Sequence, residues 1–177
     1  MSTFVRGATR ADEHELLRLL HLMHDEGGLM PLDEHRARET FARAFNREGG
    51  NIIGVIDGDK KIEAAICMTI GRFWYAEDFH LEEVFAFVDP NHRQSSHAKA
   101  LLAFAKQCSK VLRIPLLIGV LSNKRTAAKV RLYRAQFGES AGAFFLFNSH
   151  WNLDAAPKPR VRVRARTAPM QTSEVRP

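Results

Sequence analysis

The sequence predicts an α/β fold built on one mixed sheet, in the order β-α-α-β-β-β-α-β-α-β, and three observations carry that prediction. Apolar residues recur at helical spacing in some segments and as short compact runs in others. Asp57-Gly58-Asp59 separates two apolar runs, the pattern of a tight hairpin. A further run, Val84 to Val88, ends in Asp89-Pro90 and passes through a short loop of small and polar residues into a helical pattern.

The elements follow in order. Residues 3–6 read as a first strand. Thr9 is placed to cap a helix, with Asp12 three residues on, near the positive helix end. Leu16, Leu19, Leu20 and Met23 then recur at helical spacing, and Gly27-Gly28 ends that helix. Asp33 caps a second helix reaching Arg47, with Ala37, Phe41, Ala44 and Phe45 on its inner face and Gly49-Gly50 closing it. Residues 51–56 and 62–70 form the hairpin, and residues 80–88 a fourth strand. A third helix covers residues 96–111. Residues 115–121 make a fifth strand, compact and apolar enough to be central. Residues 124–137 form a fourth helix and residues 142–147 a sixth strand. Beyond Trp151 no periodic core pattern continues, so residues 1–149 read as one domain and 150–177 as a flexible tail.

A chain of 177 residues, 45% hydrophobic and 26% charged, suits one globular core. No run of about 18 apolar residues is present, which argues against a membrane span. The first residues lack the apolar stretch of a secretory signal. Cys67 and Cys108 both fall in apolar patterns and read as buried thiols in a reducing compartment, so a cytoplasmic location is expected. The net charge of +6 is uneven: residues 150–177 hold six basic residues against Asp154 and Glu174. The preceding part is only mildly basic.

The loop after the fourth strand reads His92-Arg93-Gln94-Ser95-Ser96-His97-Ala98. N–H groups at a helix start lack intrahelical partners and carry partial positive charge, which seats a phosphate. Arg93-x-x-Ser96-x-Ala98 resembles the Arg/Gln-x-x-Gly-x-Gly/Ala loop of the GCN5-related N-acetyltransferases (GNAT), and the order of elements over about residues 3–149 resembles theirs as well. The departure is Ser96 at the first glycine, where a Cβ stands at a place of close ligand approach. The resemblance implies a GNAT-like sheet whose fourth and fifth strands splay apart, with acetyl-coenzyme A entering the gap. It implies that the backbone of Phe87 and Val88 orients the cofactor. Arg93, Gln94, Ser95, Ser96, His97 and Ala98 would then hold its pyrophosphate, with Arg93 neutralising charge and the serines and His97 offering mainly N–H groups. His97 alternatively reads as a plain surface residue.

Amine acetylation needs a base for the amine and a proton for the leaving thiolate. In the resembling family a base often sits near the start of the fourth strand, where this chain has Glu82 and Glu83. Neighbouring strand residues point to opposite faces, and Glu83 is favoured because alternation puts it with Phe85 and Phe87. Solvent-exposed carboxylates are the plain alternative for both. Tyr133 resembles the family's fourth-helix tyrosine, a general acid near the cofactor sulfur; a packing tyrosine is the alternative. The family often has an asparagine seven residues earlier; here Thr126 stands there and Asn123 lies ten earlier, so both are cofactor candidates.

Other features carry less. His14, His21 and His24, with Asp25, read as a solvated helix face, and no metal is expected. Phe73-Trp74-Tyr75 reads either as a substrate-site wall or as a core edge or interface patch. Arg160, Arg162, Arg164 and Arg166 would share one face of an extended tail, so residues 158–166 are a candidate surface for nucleic acid or an acidic partner, or a solubilising stretch.

The expected function is acetyl transfer from acetyl-CoA to an amine, a protein or small-molecule acceptor, by direct attack. No membrane partner is expected, and the resemblance allows a homodimer. The alternative is a GNAT-fold binding or structural protein without turnover. Arg-x-Ser-x-His-Ala and the later Lys-Val-Arg-Leu-Tyr also resemble acetyltransferase-like proteins of bacteriophage genomes, which would place the chain in a host cytoplasm or a virion.

Overall fold

Two antiparallel hairpins form the frame on which everything else is hung. The computed structural model describes residues 4–120 and 125–143. Its strands are β1 (Arg6–Gly7), β2 (Ile52–Asp57), β3 (Ile62–Arg72), β4 (Phe79–Val88) and β5 (Leu116–Leu117), and they lie side by side in that order. The helices are α1 (Glu13–Gly27), α2 (Glu34–Phe45), α3 (His97–Leu112) and α4 (Thr126–Phe137), with single 3-10 turns at Arg10–Asp12 and Pro90–His92. The first four strands pair antiparallel, and β5 joins β4 in parallel. This is the mixed α/β sheet that the sequence predicts. The expected sixth strand lies outside the described residues from Phe144 onward, and the basic tail lies wholly outside them.

Alternation along the strands sorts the core into two layers. Val55, Ala65, Cys67, Phe85 and Phe87 pack on one face with Leu16, Leu19 and Phe41 of α1 and α2. Ile56, Ala64, Ile66, Met68 and Leu81 pack on the other with Leu101 and Ala105 of α3. Burying each large side chain contributes roughly 1.5–3 kcal/mol, so both helical layers are held mainly by these contacts.

Polar ties fix the ends. Arg6 bridges Asp12 and Asp57, joining β1, the first turn and β2. The Arg6 guanidinium, helped by Thr9, draws the Asp12 carboxyl down to about 2 despite its burial. Asp89 is only 1% exposed and accepts hydrogen bonds from Lys61 and Arg18, both at 2.9 Å, which locks the end of β4 to the turn before β3 and to α1. Asp33 caps α2 by accepting from the Arg36 N–H.

Several boundaries differ from expectation. β1 covers Arg6–Gly7 rather than residues 3–6, and the Thr9 capping box starts a 3-10 turn that precedes α1. The second helix stops at Phe45, where Arg47 turns to left-handed backbone with φ +59°. The largest difference is β5, which covers Leu116–Leu117, where a strand over residues 115–121 was expected; the described residues 118–120 are not strand, and the strand expected to flank β5 lies outside the described residues from Phe144 onward. The cause is an irregularity in β4. Cys67 faces Phe85 but Met68 faces Glu83, so Val84 is an extra residue. Such a bulge bends and twists its strand. It falls directly after the last pair between the two strands, Glu82 with Leu117.

Candidate active site

The bend opens a cleft. Past Glu82 no strand pairs with the outer edge of β4 among the described residues, so its peptide groups from Glu83 to Val88 are open on that side. A cavity of about 550 Å³ lies against this edge, walled by Ala86, Phe87 and Val88 of β4, Ala98 and Leu101 of α3, and Tyr133 of α4. The connection between α1 and α2 closes one side, and Arg36, Arg125 and Lys129 add positive charge.

Tyr133, which lines this cleft, meets Glu83 of β4. The Tyr133 hydroxyl donates to both carboxylate oxygens of Glu83, at 3.0 and 2.9 Å. Burial pushes the Glu83 carboxyl up to about 7, against the pull of the Tyr133 hydrogen bond, the Lys129 charge and the Gly119 N–H. Burial, and then the Glu83 charge, drive the Tyr133 hydroxyl well above its ordinary range. The pair therefore joins a carboxyl able to exchange a proton at neutral pH with a phenol that is protonated there and so can serve as a proton donor. Shared alternation with Phe85 and Phe87 is not what turns Glu83 here. Its strand partner Met68 belongs to the α3 layer, whereas Phe85 pairs with Cys67 of the α1–α2 layer, and the extra Val84 makes the change of face. Glu82 is half exposed and lies 3.8 Å from His80, apart from Tyr133.

The loop before α3 is more occupied than its sequence suggests. Arg93 holds Glu26 at 2.5 and 2.6 Å and stacks over Phe87, so it clamps the end of α1 to β4. The Ser95 N–H donates to the His92 carbonyl at 3.1 Å, and the His97 N–H to the Ser95 hydroxyl at 3.2 Å. The first bond of the α3 ladder runs from Ala100 N–H to the Ser96 carbonyl, which leaves the Ala98 N–H at the cavity wall outside that ladder. Ser96 has φ −82°, a backbone any residue adopts, so serine is unstrained there and departs from glycine by its CH2OH side chain alone. His97 is buried, which corrects the reading of it as a surface residue: its Nε2 lies 2.6 Å from Glu63.

The remaining candidates separate. Gln94 belongs to the turn beside Arg93, and Thr126 opens α4 after left-handed backbone at Arg125. Asn123 lies outside the described residues. Phe73, Trp74 and Tyr75 sit at the β3–β4 turn away from the cavity wall, with Trp74 95% exposed. His14, His21 and His24 have separate neighbours, Glu15, Glu34 and the Met30 carbonyl. Sequence reasoning missed Lys129, four residues before Tyr133 and so on the same helix face. It also missed Glu26, for which no local signal exists, and Glu63 with His92. The spacing of His92 and His97, with four residues between, was a readable sign for the last group.

Similarity to known proteins lies in the fold. No protein-family model matches the sequence, and no curated protein matches it. Solved structures do. The aminoglycoside acetyltransferase AAC(6')-Iy, bound to a bisubstrate analogue of coenzyme A, superposes with TM-score 0.65 at 14% identity, covering 83% of this chain and 97% of that one. A GNAT family acetyltransferase of Staphylococcus aureus gives TM-score 0.57 at 15% identity over 83% and 99% of the two chains. An integron cassette protein from a salt-marsh metagenome gives 0.63 at 23% identity over 86% and 91%. The chain has the fold of the GCN5-related N-acetyltransferases.

Proposed function

We propose that this chain transfers an acetyl group from acetyl-coenzyme A to an amine. The observation that carries the reading is the Glu83–Tyr133 hydrogen bond at the opening between β4 and β5. The neighbour with a coenzyme A analogue supports the choice of donor, and the aminoglycoside enzymes among the neighbours support an amine acceptor. The residues present suit such a donor. The open β4 edge offers peptide groups to an extended amide chain, the cavity carries Arg125 and Lys129, and the Ala98 N–H stands at the α3 start.

In this reading the amine nitrogen attacks the thioester carbonyl carbon and the carbon–sulfur bond breaks. Glu83, ionised in about half the molecules near pH 7, takes the proton of the amine through water. Tyr133 donates its own proton to the sulfur and regains one from Glu83, so the proton passes from nitrogen to sulfur with both side chains restored. No covalent enzyme intermediate is needed. The Cys67 thiol is buried and pushed up to about 12, which keeps it protonated and unsuited to attack.

The test is release of free coenzyme A thiol in the presence of a panel of amines, comparing the full chain with Glu83→Gln. Acceptor-dependent release that the substitution lowers by about 10²–10⁴-fold supports the assignment. Equal release by both proteins removes Glu83 from it.

A further inference from the structure

Behind the loop, away from the cavity wall, three side chains converge. Glu63 at the start of β3 presents one carboxylate oxygen to two histidines: His97 Nε2 at 2.6 Å and His92 Nδ1 at 3.1 Å. The three donor atoms all lie within 4.8 Å of one another. None of the three residues lines the cavity, and the proposed acetyl transfer uses none of their side chains.

The charge around Glu63 sets it apart. Three other partly buried carboxylates have a fixed cation: Asp12 has Arg6, Asp89 has Arg18 and Lys61, and Glu26 has Arg93; Glu83 has the Tyr133 hydroxyl instead. Glu63 pairs with no lysine or arginine among the described residues and sees only imidazoles. His97 is buried as well, and its Nδ1 has no hydrogen-bond partner. A divalent cation seated between the carboxylate and the two ring nitrogens would give this partly withdrawn group the fixed positive charge that no lysine or arginine supplies.

The geometry points to a divalent cation of the zinc class held by Glu63, His92 and His97. Two imidazoles and a carboxylate are a donor set that zinc accepts, with a fourth position left for water. Zinc ligands at about 2.0–2.2 Å in a tetrahedron stand roughly 3.3–3.6 Å apart. The Glu63–His92 separation of 3.1 Å is close to that, and the Glu63–His97 contact of 2.6 Å has to open by about 0.7–1 Å. Bound to the ion, the rings would ligate through His92 Nδ1 and His97 Nε2, each with its proton on the opposite nitrogen. Gly58 makes room for the carboxylate, since a Cβ there would lie 2.1 Å from Glu63 Oε1. His92 is 31% exposed and gives the ion a path from solvent. The bound ion would tie β3 to the Pro90–His92 turn and to the first residue of α3. It would therefore hold the loop whose serine replaces the usual glycine.

The test is titration of zinc alone into the full, tag-free chain in competition with a chromophoric chelator, with the melting temperature followed in parallel. The expected result is one zinc per chain with a dissociation constant at or below about a micromolar, worth roughly 8 kcal/mol, and a rise in Tm on loading. His92→Ala and Glu63→Gln, checked for folding by circular dichroism, should each weaken binding beyond the ~10–100-fold that loss of a mere supporting group produces. Binding weaker than micromolar overturns the site, as does zinc affinity that His92→Ala leaves unchanged. Either failure leaves the acetyl-transfer reading untouched, because the readout is the metal itself.

Discussion

Glu83 holds a charge where the surroundings resist one. Its carboxyl is raised from 4.5 to about 7 in the folded chain, so the folded state binds the proton more tightly than the unfolded state does. The associated stability is complete below about pH 4.5 and is lost as the pH rises through 7. Glu83→Gln should match the wild type in stability at pH 4 and exceed it at pH 8.5 by about 1–3 kcal/mol, seen as a Tm higher by several degrees. The wild-type pH–rate profile should have an acid limb with its midpoint near pH 7, and the same substitution should abolish it. Tyr133→Phe removes a hydrogen bond that lowers the Glu83 carboxyl. That variant should shift the limb to higher pH as well as slow turnover; a limb that stays in place would separate the two residues. The residue types were legible in the sequence, but the reason for the position of Glu83 was not. Strict alternation gave the wrong partner residues, because a bulge leaves no mark in a pattern of apolar and polar letters.

At the scale of elements, Asp89 shows how the loop is anchored. Its side chain is buried, yet Lys61, the Asn91 N–H and Arg18 together outweigh that burial and bring its carboxyl down to about 2. Its contribution is therefore present above about pH 3.8 and lost as the pH falls toward 2. Asp89→Asn should destabilise the chain by about 3–5 kcal/mol at neutral pH, since it leaves two cations facing a neutral group; chemical denaturation measures this directly. A loss under about 1 kcal/mol would mean that the β4 end is held by packing. Asp89-Pro90 read from sequence as a strand end, and it is one. The hairpin at Asp57-Gly58-Asp59 was equally legible, because turn chemistry is local. The length of β5 was not, since the run from Pro115 is apolar enough for seven strand residues and only the bend in β4 limits the pairing to two. The clamp of Arg93 on Glu26 spans 67 residues of chain and no short-range pattern announces it.

For the whole molecule, the element order through α4 could be read from periodicity, and solved acetyltransferases share the resulting fold at 13–15% identity. Such low identity leaves fold as the common property, and function has to be argued from the cleft. No helix among the described residues is long and apolar enough to cross a membrane. The central claim is that acetyl-coenzyme A lies along β4 with its diphosphate at the start of α3. The most direct measurement is calorimetric titration of acetyl-coenzyme A into the full chain and into Ala98→Glu, which sets a carboxylate at that helix start. The account predicts micromolar binding by the wild type, weakened by a factor of about 100 or more in the variant, a difference of about 2.7 kcal/mol. Absence of binding up to about a millimolar, where association is worth roughly 4 kcal/mol, or equal binding by both proteins, would contradict it.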